Sequence, residues 1–150
     1  MIVRALSVDE IVQEPELHGL FAVYAQESSI VGLPPFNPDI EHYRKLEALD
    51  MMRLFAAYRD EILVGFLSML ISLAPHYGEK IAVAESFFVL PEHRKSGAGI
   101  SLLRASEEAA RALGAVGFFV SAPVGGKLAA VMDATPAYRE TNRVFFRRFA

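Results

Sequence analysis

The sequence predicts a mixed α/β (α+β) domain, and three observations predict it. Residues 53–58, 61–73 and 81–90 are rich in apolar, β-branched and aromatic side chains and are joined by short polar turns, the pattern of an antiparallel meander. A strongly amphipathic helical stretch follows a loop that closes on Gly97-Ala98-Gly99. A short apolar run, 115–121, comes directly after it. Strand, helix and strand in that order form a right-handed parallel crossover.

The remaining elements follow in order. Residues 1–6 are short, apolar and strand-like. Ser7 with Glu10 three residues on reads as a capping box, so a helix starts there, and Pro15 must sit in its first turns or break it. Residues 16–26 continue as helix. The segment 30–38 (IVGLPPFNP) is a loop, because three prolines and a glycine forbid regular structure. Pro38-Asp39 opens a second helix that runs to Leu49. Arg59-Asp60 and residues 75–80 (PHYGEK) are the turns of the meander, and Pro91 ends its third strand. On the helical wheel of the next element, Leu102, Ala105, Ala109, Ala112 and Leu113 share one face. Arg104, Glu107, Glu108 and Arg111 share the other, with Arg104–Glu108 and Glu107–Arg111 spaced i,i+4. Gly114 closes that helix. Residues 127–133 form one more helix and 143–149 (RVFFRRF) a final strand. The expected order is β–α–α–β–β–β–α–β–α–β in a single domain, 1–150, with no repeat and no interdomain linker.

Composition narrows the function. A chain of 150 residues buries roughly 70% of its unfolded surface and needs no disulfide or metal staple. The absence of cysteine removes disulfides, thiolate metal sites and a cysteine nucleophile. The four histidines (His18, His42, His76, His93) lie far apart in sequence with no metal-ligand spacing, so no metal is expected. A net charge of −3 argues against nucleic acid as the main partner. The longest apolar stretch, 62–74, is well short of the ~20 residues of a membrane helix, and the N-terminus has no signal-peptide pattern. The expectation is a cytoplasmic protein with no membrane partner.

The informative stretch is 89–100, VLPEHRKSGAGI. A strand ends at Pro91, a loop with Arg94 and Lys95 follows, and glycines open a strong helix. The first N–H groups of a helix lack intrahelical partners and its dipole favours negative charge, so this is the physics of an anion site. Gly97 and Gly99 let a phosphate approach the backbone closely. The phosphate loop G-x₄-G-K-[ST] is absent, and the dinucleotide fingerprint is incomplete because Leu102 stands at its last glycine. A plain glycine-containing loop is the competing reading.

Arg94-Lys95-Ser96-Gly97-Ala98-Gly99 resembles the [Q/R]-x-x-G-x-[G/A] motif of the GNAT (GCN5-related N-acetyltransferase) superfamily, and Val89-Leu90-Pro91-Glu92-His93 is similar to the run that leads into it. The resemblance implies a mixed, mostly antiparallel central sheet with helices on both faces, splayed between the fourth and fifth strands. It implies acetyl-CoA as cosubstrate and a small-molecule or peptide amine as acceptor, with a homodimer compatible. Carried over, the pyrophosphate meets the amides of Lys95, Gly97, Ala98, Gly99 and Ile100, with Arg94 and Ser96 in the same loop. The pantetheine arm lies along Phe88, Val89 and Leu90.

Proton handling calls for a base and an acid. Glu85 is the only charged residue inside an apolar strand, and strand parity groups it with Val83, Phe87 and Val89. A lone carboxylate there is paired or functional, because burying it bare is costly. The family often places a general base on this strand, so Glu85 is read as base or as a structural or substrate-binding carboxylate. The family's N-x-x-A-x-x-h-Y run is matched by Ala129, but Gly126 stands at the asparagine and Asp133 at the tyrosine, and Ala137-Tyr138 takes the place of Gly-Phe. Tyr138 and Ser121 remain as candidate general acids, Tyr138 with a packed-core reading beside it. The loop 30–38, through Leu33, Pro34, Pro35 and Phe36, lines the acceptor side by the resemblance, or simply pins itself to the core. Three readings follow: an active N-acetyltransferase, a coenzyme-binding or assembly protein of the same fold without turnover, and a phosphate binder of unrelated α/β fold.

Overall fold

The computed structural model describes residues 1–149. Strand β1 (Ile2–Leu6) leads into α1 (Val8–Ile11), α2 (Leu17–Ser28) and α3 (Ile40–Ala48). Strands β2 (Met52–Arg59), β3 (Ile62–Ala74) and β4 (Glu79–Val89) form the meander. A 3-10 turn (Pro91–His93), α4 (Ala98–Ala112), β5 (Ala115–Val120) and α5 (Lys127–Asp133) complete the described elements.

Local chemistry accounts for the boundaries. Ser7 caps α1 through the Glu10 amide at 3.1 Å while Glu10 returns a bond to the Ser7 amide at 2.7 Å, the expected reciprocal box. Pro15 breaks rather than continues this helix: α1 ends at Ile11 and α2 begins two residues past the proline. Asp39 caps α3 by accepting from the His42 amide at 3.0 Å. The turn between β2 and β3 lies one residue later than expected. Asp60 and Glu61 both take positive φ, 50° and 62°, which a tight hairpin demands, and Arg4 holds the Glu61 carboxylate at 2.9 and 3.1 Å.

The five strands lie in the order β1-β2-β3-β4-β5, antiparallel except for the parallel β4–β5 pair. Helices cover both faces. On one, α4 buries Ala98, Leu102, Leu103 and Ala110 against Phe55, Val64, Leu67, Met69, Ala82 and Val89. Each large side chain so buried stabilises the fold by about 1.5–3 kcal/mol. The buried stripe is rotated from the expected one: Leu103, Ser106 and Ala110 lie inside, and Ala112 is exposed. Ser106 satisfies its hydroxyl on the Leu102 carbonyl at 2.8 Å, which is why a polar residue is tolerated there. On the other face, α1 and α2 pack Val8, Ile11, Leu17 and Leu20 against Leu54, Ala56, Leu63, Phe66 and Phe88.

The expected final strand at 143–149 does not form; these residues are irregular. Val144, Phe145 and Phe146 are consecutive, as are Arg147 and Arg148, so neither face of a strand would be uniformly apolar and no register is favoured. Val144 and Phe145 are 81% and 88% exposed, and the tail runs instead past Gly32, where Phe146 and Arg148 approach the glycine. No helix among the described residues is long and apolar enough to cross a membrane.

Candidate active site

Two irregularities in β4 build the site. The first is a bulge: Ser68 of β3 pairs with Ser86 and Met69 with Ala84, so Glu85 is the extra residue. The second is an opening. Pairing of β4 with β5 ends at Ala84↔Val120, so Glu85 to Val89 have no strand partner on that edge. Glu85 and Ser121 are the residues immediately past that last pair, one on each side of the opening. Gly65 makes the other edge tight. A Cβ there would lie 2.8 Å from the Phe88 carbonyl, so only glycine lets β3 pass so close to β4 at this point.

The bulge overturns the expected parity of Glu85. Phe87 and Val89 pack on the α4 face, whereas Glu85 bonds to Ser68, a neighbour in β3 of Phe66 and Leu70 on the opposite face. Parity holds back to Val83, which pairs with Leu70, and fails forward. Glu85 is also exposed rather than buried. Its carboxylate accepts from the Tyr43 hydroxyl at 2.8 Å and from the Ser68 hydroxyl. Ser68 is buried, and having spent its one proton on Glu85 it accepts from the Ser86 hydroxyl at 2.6 Å and the Ser86 amide at 3.1 Å. A relay Ser86–Ser68–Glu85 results. Burial, then the Glu85 charge, raises the Tyr43 pKa well above the ordinary tyrosine value, so its hydroxyl remains a donor. Tyr24 is raised by the same two causes in the same order, against the opposing influence of Ser28 and Ser86.

The cluster adjoins an apolar cleft between the sheet and the first three helices, which Tyr43, Ser68 and Ser86 line and Glu85 does not. Phe21, Tyr24, Phe36, Ile40, Tyr43 and Phe66 line it, with Ser68, Ser86 and the two tyrosines as its polar residues. Tyr43, Ser68 and Ser86 were not legible as site residues. A serine within the apolar run of β3 is the one signal that would have found Ser68.

The glycine loop lies on the α4 side of the opening. Gly97 is the N-cap of α4 at φ +86°, a left-handed conformation that glycine adopts without strain, and nothing lies within 4 Å of where a Cβ would stand. The amides of Lys95, Gly97, Gly99 and Ile100 have no hydrogen-bond partner among the described residues, and Ala98 has a long contact of 3.4 Å to the Ser96 hydroxyl. Gly99 sits against the open edge, its Cβ position 3.7 Å from Phe87 and 3.9 Å from Val89. This open cradle of amides beside an unpaired strand edge fits a phosphate with an amide-bearing arm.

Individual placements refine the expected roles. The Leu90 amide donates to the Val64 carbonyl at 2.9 Å, and Phe88 pairs with Phe66, so both turn their backbone toward β3. By alternation Val89 and Phe87 face the opening, and Phe87 belongs to the candidate edge that the sequence assigned to Phe88, Val89 and Leu90. Arg94 is committed within the fold. Its Nε donates to the Val89 carbonyl at 2.9 Å, its guanidinium bonds Glu27 of α2, and it lies 5.6 Å from the Phe88 ring centre. Ser121 is exposed and makes no hydrogen bond among the described residues. Tyr138 is not brought to Glu85. It packs on the α4 face and donates to Glu107 of α4, with its pKa raised by burial first and Glu107 second.

Residues 17–125 match the family described as Acetyltransferase (GNAT) family. Among solved structures, the chain resembles an aminoglycoside acetyltransferase, meta-AAC0020, from an uncultured soil metagenomic sample in complex with sisomicin. The TM-score is 0.76 at 19% identity, over 99% of this chain and 96% of that one. It resembles a ribosomal-protein-alanine N-acetyltransferase from Brucella melitensis biovar Abortus 2308, with TM-score 0.73 and 19% identity over 99% and 100% of the two chains. The aminoglycoside N-acetyltransferase AAC(6')-Iy in complex with CoA gives TM-score 0.72 and 18% identity over 99% of each. No curated protein matches the chain.

Proposed function

The chain belongs to the acetyltransferase (GNAT) family, and from that premise we propose that it transfers an acetyl group from acetyl-CoA to a primary amine by direct attack on the thioester. The observation that carries this reading is the opening between β4 and β5 beside the Gly97-capped helix. A strand edge and a set of unpaired amides meet there, the two recognition surfaces that a pantetheine arm and a pyrophosphate require.

In this reading the amides of Lys95, Gly97, Ala98, Gly99 and Ile100 hold the pyrophosphate, with Lys95 and Ser96 beside it. The Phe87 and Val89 edge pairs with the pantetheine amides, and the Val89 amide polarises the thioester carbonyl as an oxyanion donor does. Arg94 contributes by fixing the Val89 carbonyl and α2. The amine forms its N–C bond, the C–S bond breaks, the amine's proton passes to Glu85, and the departing thiolate takes a proton from solvent or from Ser121 across the opening. Tyr138, held by Glu107, takes no part.

A second reading, a coenzyme-binding protein of this fold without turnover, is favoured by one observation: Asp133 stands where the family carries its tyrosine, and Tyr138 is tied to α4. Isothermal titration of acetyl-CoA, with Gly97→Trp as control, tests both. Micromolar binding (roughly −8 kcal/mol) that the substitution abolishes supports the coenzyme site, and amine-dependent release of free thiol then distinguishes turnover from binding alone. No binding by the unaltered protein defeats both readings.

A further inference from the structure

We infer that the acceptor is a primary monoamine carried on an apolar, aromatic body, an arylalkylamine, and not a polycationic or strongly hydrophilic amine. This rests on the acetyltransferase reading and specifies its acceptor side. Three features of the cleft point to it.

The lining is apolar and aromatic. Phe21, Tyr24, Phe36 and Phe66 meet edge to face, with ring centres 5.1 to 5.7 Å apart. Such an array offers further rings both edges and faces, the geometry in which aromatic pairs gain beyond their buried area. Among the described residues, the lining includes no Asp, Glu, Lys or Arg. A second or third ammonium group would therefore lose its water with no counter-charge to meet it, a large cost.

A carboxylate adjoins the cleft without lining it. Glu85 is the carboxylate bonded to the cleft's polar residues, through Tyr43 and Ser68. Two hydroxyl donors already occupy it, one on each oxygen, and it remains exposed, so it retains capacity for one ammonium group. A carboxylate beside an uncharged apolar cleft is complementary to an amine whose charge is carried on an apolar body.

The loop that supplies Phe36 carries further apolar residues. Phe36, 37% exposed, comes from the 30–38 loop, and the same loop leaves Ile30, Val31 and Leu33 exposed at 54%, 99% and 44%. Phe36 packs on Phe21 and Tyr24, and with Pro38 it is the part of the lining carried on the 30–38 loop rather than on a helix or strand.

The test compares 2-phenylethylamine, n-hexylamine and the aminoglycoside sisomicin as acceptors for the full chain, with acetyl-CoA binding measured separately by titration. The expected result is a kcat/KM for 2-phenylethylamine at least tenfold above that for sisomicin, with hexylamine between them. Phe36→Asp is expected to raise the KM for 2-phenylethylamine at least tenfold while the acetyl-CoA Kd stays the same. Equal or faster acetylation of sisomicin overturns the inference, as does a Phe36→Asp protein with unchanged KM. Acetyl-CoA binding with no acetylation of either apolar amine also overturns it and leaves the coenzyme site standing. Failure to bind acetyl-CoA sinks the acetyltransferase reading itself.

Discussion

The Tyr43 hydroxyl donates to Glu85 Oε1 at 2.8 Å, joining helix α3 to the one bulged residue of β4. Ser68 holds the other carboxylate oxygen from the adjacent strand, so the side chain is fixed from two elements. If Glu85 accepts the amine's proton, Glu85→Gln keeps the shape and both neighbours but removes the base. The kcat is expected to fall by roughly 10²–10⁴-fold, the usual contribution of a positioned acid or base. Acetyl-CoA affinity should be unchanged, because Glu85 lies on the face opposite α4. Tyr43→Phe frees one oxygen and should cost about tenfold, the equivalent of one hydrogen bond to a charged group. Steady-state kinetics with any acetylated amine decides this, and a Glu85→Gln enzyme with undiminished kcat rules out the base.

Gly65→Ala tests whether the tight β3–β4 approach sets the opening on the far side of β4. The new methyl would meet the Phe88 carbonyl at 2.8 Å and the Val89 side chain at 3.0 Å, so the strand must shift. Overpacking of this kind costs about 1–3 kcal/mol, to be read from urea denaturation. Because Val89 carries the proposed pantetheine edge, acetyl-CoA binding should weaken as well. Loss of stability with unchanged coenzyme affinity would show that the edge tolerates the shift.

Much of this was legible in the sequence, and the exceptions share a cause. Helix α5 was expected over the residues where it forms, and the strands of the meander differ by one or two residues at each end, because hydrophobic periodicity is a local property. The Ser7–Glu10 box was readable for the same reason. Glu85 was identifiable as an isolated carboxylate, but its face was not. A bulge shifts parity by one residue and is decided by the pairing with β3. Tyr43 lies 42 residues away in sequence from the carboxylate it holds, and no local pattern marks it. Arg94 was readable as a cation near the glycine loop, but its commitment to Glu27 spans 67 residues. The tail at 143–149 misled because its composition is strand-like while its order of apolar and charged residues supports neither face.

Arg94 offers a sharp contrast between a phosphate ligand and a strut. As a strut, it is needed for its Nε bond to the Val89 carbonyl and its pairing with Glu27. Arg94→Lys retains the charge but not the planar fork, and should cost about 1–2 kcal/mol of stability, allowing for the partial exposure of the pair. Glu27→Gln should weaken stability in the same direction by less. Chemical denaturation of the two single variants and the double variant gives the coupling. Unchanged stability in Arg94→Lys combined with weakened acetyl-CoA binding would instead make the guanidinium a phosphate ligand.

Three tyrosines donate to carboxylates: Tyr43 to Glu85, Tyr58 to Glu14 at 2.6 Å, and Tyr138 to Glu107. Burial, with the neighbouring carboxylate behind it, raises each pKa above the ordinary value of 10.0. The sign of the consequence follows from proton counting. Above pH 10 the unfolded chain releases these protons while the native state keeps them, so the native state binds more and stability falls as pH rises. The contribution is fully present below that pH. Tyr138→Phe should therefore flatten the alkaline decline by up to one proton, seen as a shallower dependence of unfolding free energy on pH from 10 upward. Tyr58→Phe should do the same independently. Since Tyr138 faces Glu107 rather than the opening, its substitution should leave kcat well short of the ~10²-fold loss expected of a general acid. A loss of that size, with the alkaline slope unchanged, would mean that Tyr138 leaves Glu107 during turnover and protonates the thiolate after all.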